Sequence, residues 1–318
     1  MKTYNKYKLS HLKMVYPPLS NKEAIHMEEN PVSHIEDKIG KSDFYMICAK
    51  PRGFFFNHML NENDTLTFDL MISGNIVDSG EIVFKELGFW DNYESDLQIK
   101  VECGKDYIFI LDSSKSDFNV IERFSPENIL WYRSRNMKGV LGLNKFKDLN
   151  VYDLLYVGIA KVGDSYTRLI KNGHKTRMKI LAKEEQRTDG VRVTEETFLM
   201  FFKVEPLVIT QYNSSHSFTN DDIYPQINLK KVVADAEKAF VSLLKPKYNI
   251  TRFKEYPKGK DGLYKSEYDK YSYSIAETLI LNTPHGQIQG DYSEFTFSND
   301  ADSILIDGDN VGLYLASK

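Results

Sequence analysis

The chain has 318 residues, 42% of them hydrophobic and 27% charged. Those proportions sit near the globular average and exclude a wholly disordered chain, and the length allows two or three modules, each with its own core. The net charge of −4 excludes a protein that is basic throughout, so any nucleic-acid surface must be local. The 20 Tyr and 19 Phe residues favour pleated surfaces, so much β-structure is expected. In chain order, Pro17, Pro18 and Pro31 break up a loose opening of 40 residues. Phe44–Ala49 is a short apolar run. Thr65–Ser73 and Glu81–Glu86 show partial period-2 alternation, punctuated by Gly74, Asn75 and Gly80. Leu97–Glu102 and Asp106–Leu111 flank Cys103-Gly104-Lys105 as a hairpin, and Asn128–Arg133 reads as a further strand. An N-terminal β-rich domain, residues 1–141, follows.

The middle, residues 142–258, has another texture. Leu154–Ala160 and Phe198–Val204 are apolar strands. Between them a basic stretch, Arg168–Arg187, predicts one or two short helices interrupted at Gly173. Residues 205–230 read as an insertion with a polar tract, Asn213–Asp222. A helix then runs from Leu229 to Lys245, with Asn228 as its N-cap and Pro246 at its end. In the C-terminal β-rich segment, 259–318, strand patterns cover Tyr273–Leu281, Glu294–Phe297, Ser303–Asp307 and Val311–Leu315. Gly308-Asp309-Asn310 is a turn sequence.

Cys48 and Cys103 form neither a CxxC pair nor a Cys/His cluster, so zinc is not expected, and both read as buried free thiols. No run approaches the roughly 18 apolar residues of a membrane span. The lysines of the N-terminus precede no apolar core of a secretory signal, so a cytoplasmic protein without a membrane partner is expected.

The helix after Asn228 is the most informative element. Val233, Ala236, Phe240, Leu243 and Leu244 recur at helical spacing as an apolar stripe, and Glu237 lies on its border. A carboxylate there is partly desolvated, a cost that a bound cation offsets. Glu237 is followed by Pro246-Lys247-Tyr248-Asn249. A helical Glu followed by a Pro-x-x-Asn turn resembles the closing signature of the GIY-YIG endonucleases. Upstream, Tyr156-Val157-Gly158 looks like the second half-motif of that family, and Arg168 matches the arginine that opens its first helix.

The resemblance implies an α+β protein with a small three-stranded α/β/α nuclease core, flanked by mainly antiparallel β-rich segments. It implies a metal-dependent endonuclease that hydrolyses nucleic-acid phosphodiester bonds, DNA rather than RNA, in restriction or phage defence. Glu237 would hold Mg2+ or Mn2+, hard cations that prefer oxygen ligands. Arg168 would bind the scissile phosphate through its planar fork, and Tyr156 would orient or deprotonate the attacking water. Gly158 would let backbone approach the phosphate, and Lys161 would add a phosphate contact or lower a tyrosine pKa. His174 matches a region where some family members carry a functional histidine, and Asn249 would support the site. Lys175, Arg177, Lys245 and Lys247 belong to two basic clusters suited to phosphates, although acidic residues sit among them.

One part of the signature departs from the family. The Gly-Ile-Tyr strand should stand about ten residues before the second tyrosine. The best-spaced candidate, Gly142-Leu143-Asn144, lacks the tyrosine. Tyr152 is too near and Tyr132 too far, and Tyr166 is a further candidate. A missing first tyrosine favours an alternative reading, a catalytically degenerate nucleic-acid-binding or interaction module. An all-β ligand-binding protein is the third reading.

Overall fold

The computed structural model describes residues 4–92, 98–114, 119–161, 163–216, 220, 226–294 and 297–316. Along strand β1 (Tyr4–Met14), Lys8, Ser10, Leu12 and Met14 point inward with the period of two that a pleated strand imposes. After β2 (Leu19–Ser20), helix α1 (Asn21–Glu29) starts at a capping box. The Ser20 side chain accepts from the Glu23 N–H, and the Glu23 carboxylate accepts from the Ser20 N–H. Helix α2 (Ser33–Gly40) and strand β3 (Phe44–Ala49) follow, and all six residues of β3 are buried. The opening is therefore not loose: the prolines fall between elements and do not prevent them.

At Lys50 the chain leaves this unit for a second one, Lys50–Val151 with Glu185–Glu196. There β4 (Gly53–Leu60), β5 (Thr65–Ile72), β6 (Asn75–Val83) and β10 (Val140–Gly142) form one sheet in the order β10-β6-β5-β4. Strands β7 (Ile99–Cys103), β8 (Ile108–Asp112) and β9 (Asn119–Phe124) form another. The unit also holds helices α3 (Pro126–Ser134) and α4 (Phe146–Leu149). The expected strand at Asn128–Arg133 is thus a helix. Ser125 accepts from the Asn128 N–H and Pro126 occupies the first turn, start signals that outweigh the β preference of the aromatic run. Cys103 is exposed, so only Cys48 is the buried thiol expected of both.

The chain returns as β11 (Val151–Ile159), a π-helical turn (Thr167–Lys171) and α5 (Lys175–Lys183). After α6 (Val193–Glu196) in the second unit come β12 (Thr197–Tyr212) and α7 (Leu229–Leu244). The last strands are β13 (Lys270–Ile275), β14 (Leu279–Thr283), β15 (Gly286–Gly290), β16 (Ser303–Asp307) and β17 (Asn310–Tyr314). Among the described residues, ten strands of the first unit form one sheet, β15-β14-β11-β3-β12-β1-β13-β16-β17, with β2 added on β12.

The fold is α+β, and the grouping differs from three consecutive segments. The first 49 residues and the C-terminal strands share the unit of the central strands, because β1 pairs antiparallel with β12 and parallel with β13. Residues 205–212 continue β12 and are not an insertion. Parts of the expected strands at Leu97–Glu102 and Glu294–Phe297, and of the polar tract 213–222, lie outside the described residues.

Strand β3 runs between β11 and β12, antiparallel to both. Tyr45, Ile47 and Ala49 face a core shared with α1, the π-helical turn and α5, through residues such as Ala24, Leu169, Ile170 and Ile180. The opposite face carries Phe44, whose ring meets Phe240 of α7 at 5.8 Å between centroids. Helices thus cover both faces of this part of the sheet. Among the described residues, no helix is long and apolar enough to cross a membrane.

Candidate active site

Strand pairing brings two tyrosines together. A bulge at Leu155 shifts the register of β11 against β3, so that Tyr156 lies opposite Ile47 and Gly158 opposite Tyr45. Cross-strand partners point to the same face, so the bulge turns Tyr156 to the side of Tyr45. The two rings stack at 6.2 Å between centroids and 30° between planes. Gly158 makes the arrangement possible. A Cβ at this position would stand 2.7 Å from both Cζ and the hydroxyl oxygen of Tyr45. Its lack of a side chain therefore makes room for the Tyr45 ring.

Tyr45 is the residue that the sequence reading missed. The spacing rule looked for a tyrosine just upstream of Tyr156, whereas the second unit is threaded between β3 and β11 in the chain. The other candidates are occupied elsewhere. Tyr152 packs on Phe198, the Tyr166 hydroxyl donates to the Met27 carbonyl, Tyr132 lies in α3, and Gly142 pairs with Gly80 in the second unit.

Arg168 and His174 converge on the Tyr45 oxygen. Asp164 caps the π-helical turn, accepting from the N–H and hydroxyl of Thr167 at 2.8 and 2.9 Å, and thereby sets the start of the segment that carries Arg168. Arg168 Nε donates to the Tyr45 hydroxyl at 3.0 Å. His174 follows Gly173, whose φ of +59° turns the chain between the π-helical turn and α5. Its Nδ1 accepts from the Arg177 N–H at 3.3 Å and caps α5. That bond assigns the proton of the neutral ring to Nε2, which then donates to Tyr45 at 3.1 Å. The Tyr45 oxygen thus faces two N–H donors.

Burial raises the pKa of both phenols, but the hydrogen bond and charge of Arg168 oppose this at Tyr45. Tyr156 is raised by burial, with Tyr45 and Glu237 adding to the effect. Glu237 is half-buried on α7 and raised by burial, and the charges of Lys161, Arg168 and Lys238 oppose that rise. Among the described residues no donor hydrogen-bonds its carboxylate. Asp261, held by the Lys238 ammonium, adds a further negative charge beside it.

No protein-family model, curated protein or solved structure matches the chain.

Its site is therefore read from geometry. Tyr156, Arg168 and His174 meet around Tyr45, and Glu237 acts on both phenols through its charge, as the exposed Lys161 acts on Glu237. Arg177 does not belong to a nucleic-acid surface. It is buried, with Nε on Asn21 Oδ1 and Nη1 on the Leu169 carbonyl, so it ties α5 to α1 and the π-helical turn. Lys175, Lys245 and Lys247 are exposed, and Lys247 pairs with Glu184 at 2.7 Å.

Asn249 fixes the second half-motif. Its Oδ1 accepts from the Val157 N–H at 2.9 Å and its Nδ2 donates to the Val157 carbonyl at 2.8 Å. Tyr248 N–H adds a bond to the Leu155 carbonyl. Asn249→Ala leaves two backbone groups of a fully buried residue without these partners, at about 1–3 kcal/mol each. A fall of that combined size in urea-unfolding free energy is expected, and an unchanged midpoint and slope would remove this role.

His174 gives a pH dependence. Burial, followed by the charges of Arg168 and Arg177, pushes its pKa down to about 4 from 6.5. The unfolded chain therefore takes up the proton first as pH falls. The contribution of a neutral His174 is complete above pH 6.5 and lost as pH falls toward 4. His11, also pushed down to about 4, titrates in the same window, so a variant must isolate the effect. Melting temperatures of parent and His174→Gln should fall between these pH values, the parent's by more. Equal falls would contradict this assignment.

Proposed function

We propose that this site hydrolyses phosphodiester bonds of nucleic acid, DNA rather than RNA, as a GIY-YIG-like endonuclease. The observation that carries the reading is the placement of Tyr45 beside Tyr156, with Arg168 and His174 on its hydroxyl and Glu237 charged against both phenols. The degenerate-module alternative was motivated by a missing first tyrosine, and Tyr45 removes that motive.

The residues fit a hard divalent cation, Mg2+ or Mn2+. Glu237 brings a carboxylate that is partly desolvated and has no hydrogen-bond donor among the described residues, and the carboxylate of Asp261 adds negative charge beside it. Among the described residues, no group of three or more His, Cys, Asp and Glu side chains gathers into a cage, so the ion would keep several waters, as Mg2+ does. When bound at Glu237, it would supply positive charge on the phosphoryl oxygens.

The protein groups divide the remaining work. Tyr45 acts as the general base toward water: burial raises its pKa, and the hydrogen bond and charge of Arg168 oppose that rise and favour loss of the proton. Arg168 spends Nε on Tyr45 and keeps its terminal nitrogens for a phosphate oxygen. His174 stays neutral and positions Tyr45. Tyr156 stays protonated and donates to the water or the phosphate. Lys161 lies at the exposed rim, where its charge favours ionised Glu237. The test is incubation with plasmid DNA and Mg2+ or Mn2+, with and without EDTA. Nicking or linearisation that EDTA abolishes is expected, and intact plasmid under every metal condition, or cutting indifferent to EDTA, contradicts the reading.

A further inference from the structure

A concave site lies in the same unit, where the chain emerges from α7. A cleft of about 560 Å³ is lined by Lys245, Arg252, Lys254 and His285, with the rings of Phe253 and Tyr256 among them. That volume falls in the roughly 300–1,000 Å³ range of small-ligand pockets. Among the described residues, no carboxylate lines it. Among the described residues, none of the four basic side chains is paired with an acid, unlike Lys247 and Lys258, which pair with Glu184 and Asp309.

The walls are held in place. Lys245 ends α7 in the left-handed region, at φ +49°. Phe253 has φ +44°, a conformation that costs an aromatic L-residue energy and is kept only where its surroundings impose it. Arg252 Nη1 donates to the Pro246 carbonyl at 2.6 Å, which folds this turn back on the helix end. The Tyr256 hydroxyl donates to Asp235 at 2.8 Å, and Asp235 is fully buried, so the ring is anchored from below. Unpaired cations beside fixed aromatic faces suit a ligand that carries both a phosphate and a flat base.

We propose that this cleft binds one unpaired nucleotide of a nucleic-acid strand, its phosphate on Lys245, Arg252 and Lys254 and its base against Phe253. A base held in a duplex is stacked on both sides and cannot offer its face, so a single-stranded segment is the favoured occupant. The proposal rests on the nucleic-acid reading above and assigns that ligand a contact separate from Tyr45 and Glu237.

The test is fluorescence anisotropy of the full chain with a labelled single-stranded oligonucleotide, in EDTA so that cleavage does not intervene. Lys245→Asn combined with Lys254→Gln removes two charges, and Asn tolerates the left-handed backbone. The salt dependence of single-strand binding should then lose about 1.4 units of slope. Phe253→Asn keeps the backbone preference and removes the ring. It should weaken single-strand binding by about tenfold and duplex binding by less. AMP titrated calorimetrically distinguishes a free nucleotide from a strand. If only AMP binding responds to the variants, the strand assignment is overturned. It is equally overturned if the parent binds no oligonucleotide, or if the variants match the parent in affinity and salt slope. Plasmid that stays intact while the variants lose oligonucleotide affinity would sink the nuclease reading and support the cleft. A cut plasmid with unaffected variants would sink the cleft alone.

Discussion

Glu237→Ala is expected to abolish cleavage while leaving the melting temperature in EDTA unchanged or slightly raised. The side chain is half-buried, so its truncation opens little sealed volume in the core. Burial raises its pKa, which means that the ionised form is held at a cost in the folded state and its removal carries no electrostatic penalty. What is lost is the anchor for a cation. Charge stabilisation of that kind is worth several kcal/mol, or about a thousandfold or more in rate. A second readout separates anchoring from other effects. Mg2+ should raise the melting temperature of the parent, because a ligand of the native state stabilises it, and should leave Glu237→Ala unmoved. A variant that cuts at the parental rate, or keeps the full Mg2+ response, places the metal elsewhere.

Much of the local structure is legible in the residues, and the long-range pairing is not. Helix α7 follows from its stripe and its Asn228 cap, and the structure buries Val233, Ala236, Phe240 and Leu244 as that periodicity requires. Phe44–Ala49 stands out as an apolar run and is β3 to the residue. Nothing local announces that this run pairs with β11 beyond an entire second unit, because strand pairing carries no signal of sequence distance. Tyr45 was therefore visible as a strand residue and invisible as a site residue. The same gap explains Arg177, which sits in a basic stretch that reads as a solvated face. One turn of helix decides that it points inward to Asn21 while Lys175 and Lys179 stay out. Gly158 stands out in the half-motif, but nothing local shows that the Tyr45 ring packs against it. Asp164 and its cap on the π-helical turn left a faint trace, an Asp three residues before Thr167.

Tyr45 is the residue on which the functional reading turns. Tyr45→Phe keeps the ring that fits over Gly158 and stacks on Tyr156, and removes only the oxygen that Arg168 and His174 share. Arg168 is exposed and regains water, and His174 keeps its helix cap through Nδ1, so the stability cost should stay near 1 kcal/mol. Loss of a positioned base should slow the chemical step by roughly a hundredfold to ten-thousandfold. The most direct measurement is single-turnover cleavage of a labelled DNA duplex in saturating Mg2+, comparing the parent with Tyr45→Phe and with Tyr166→Phe, whose hydroxyl donates to Met27 instead. A rate lost in Tyr45→Phe and retained in Tyr166→Phe is the predicted result. Parental cleavage by Tyr45→Phe would contradict the account.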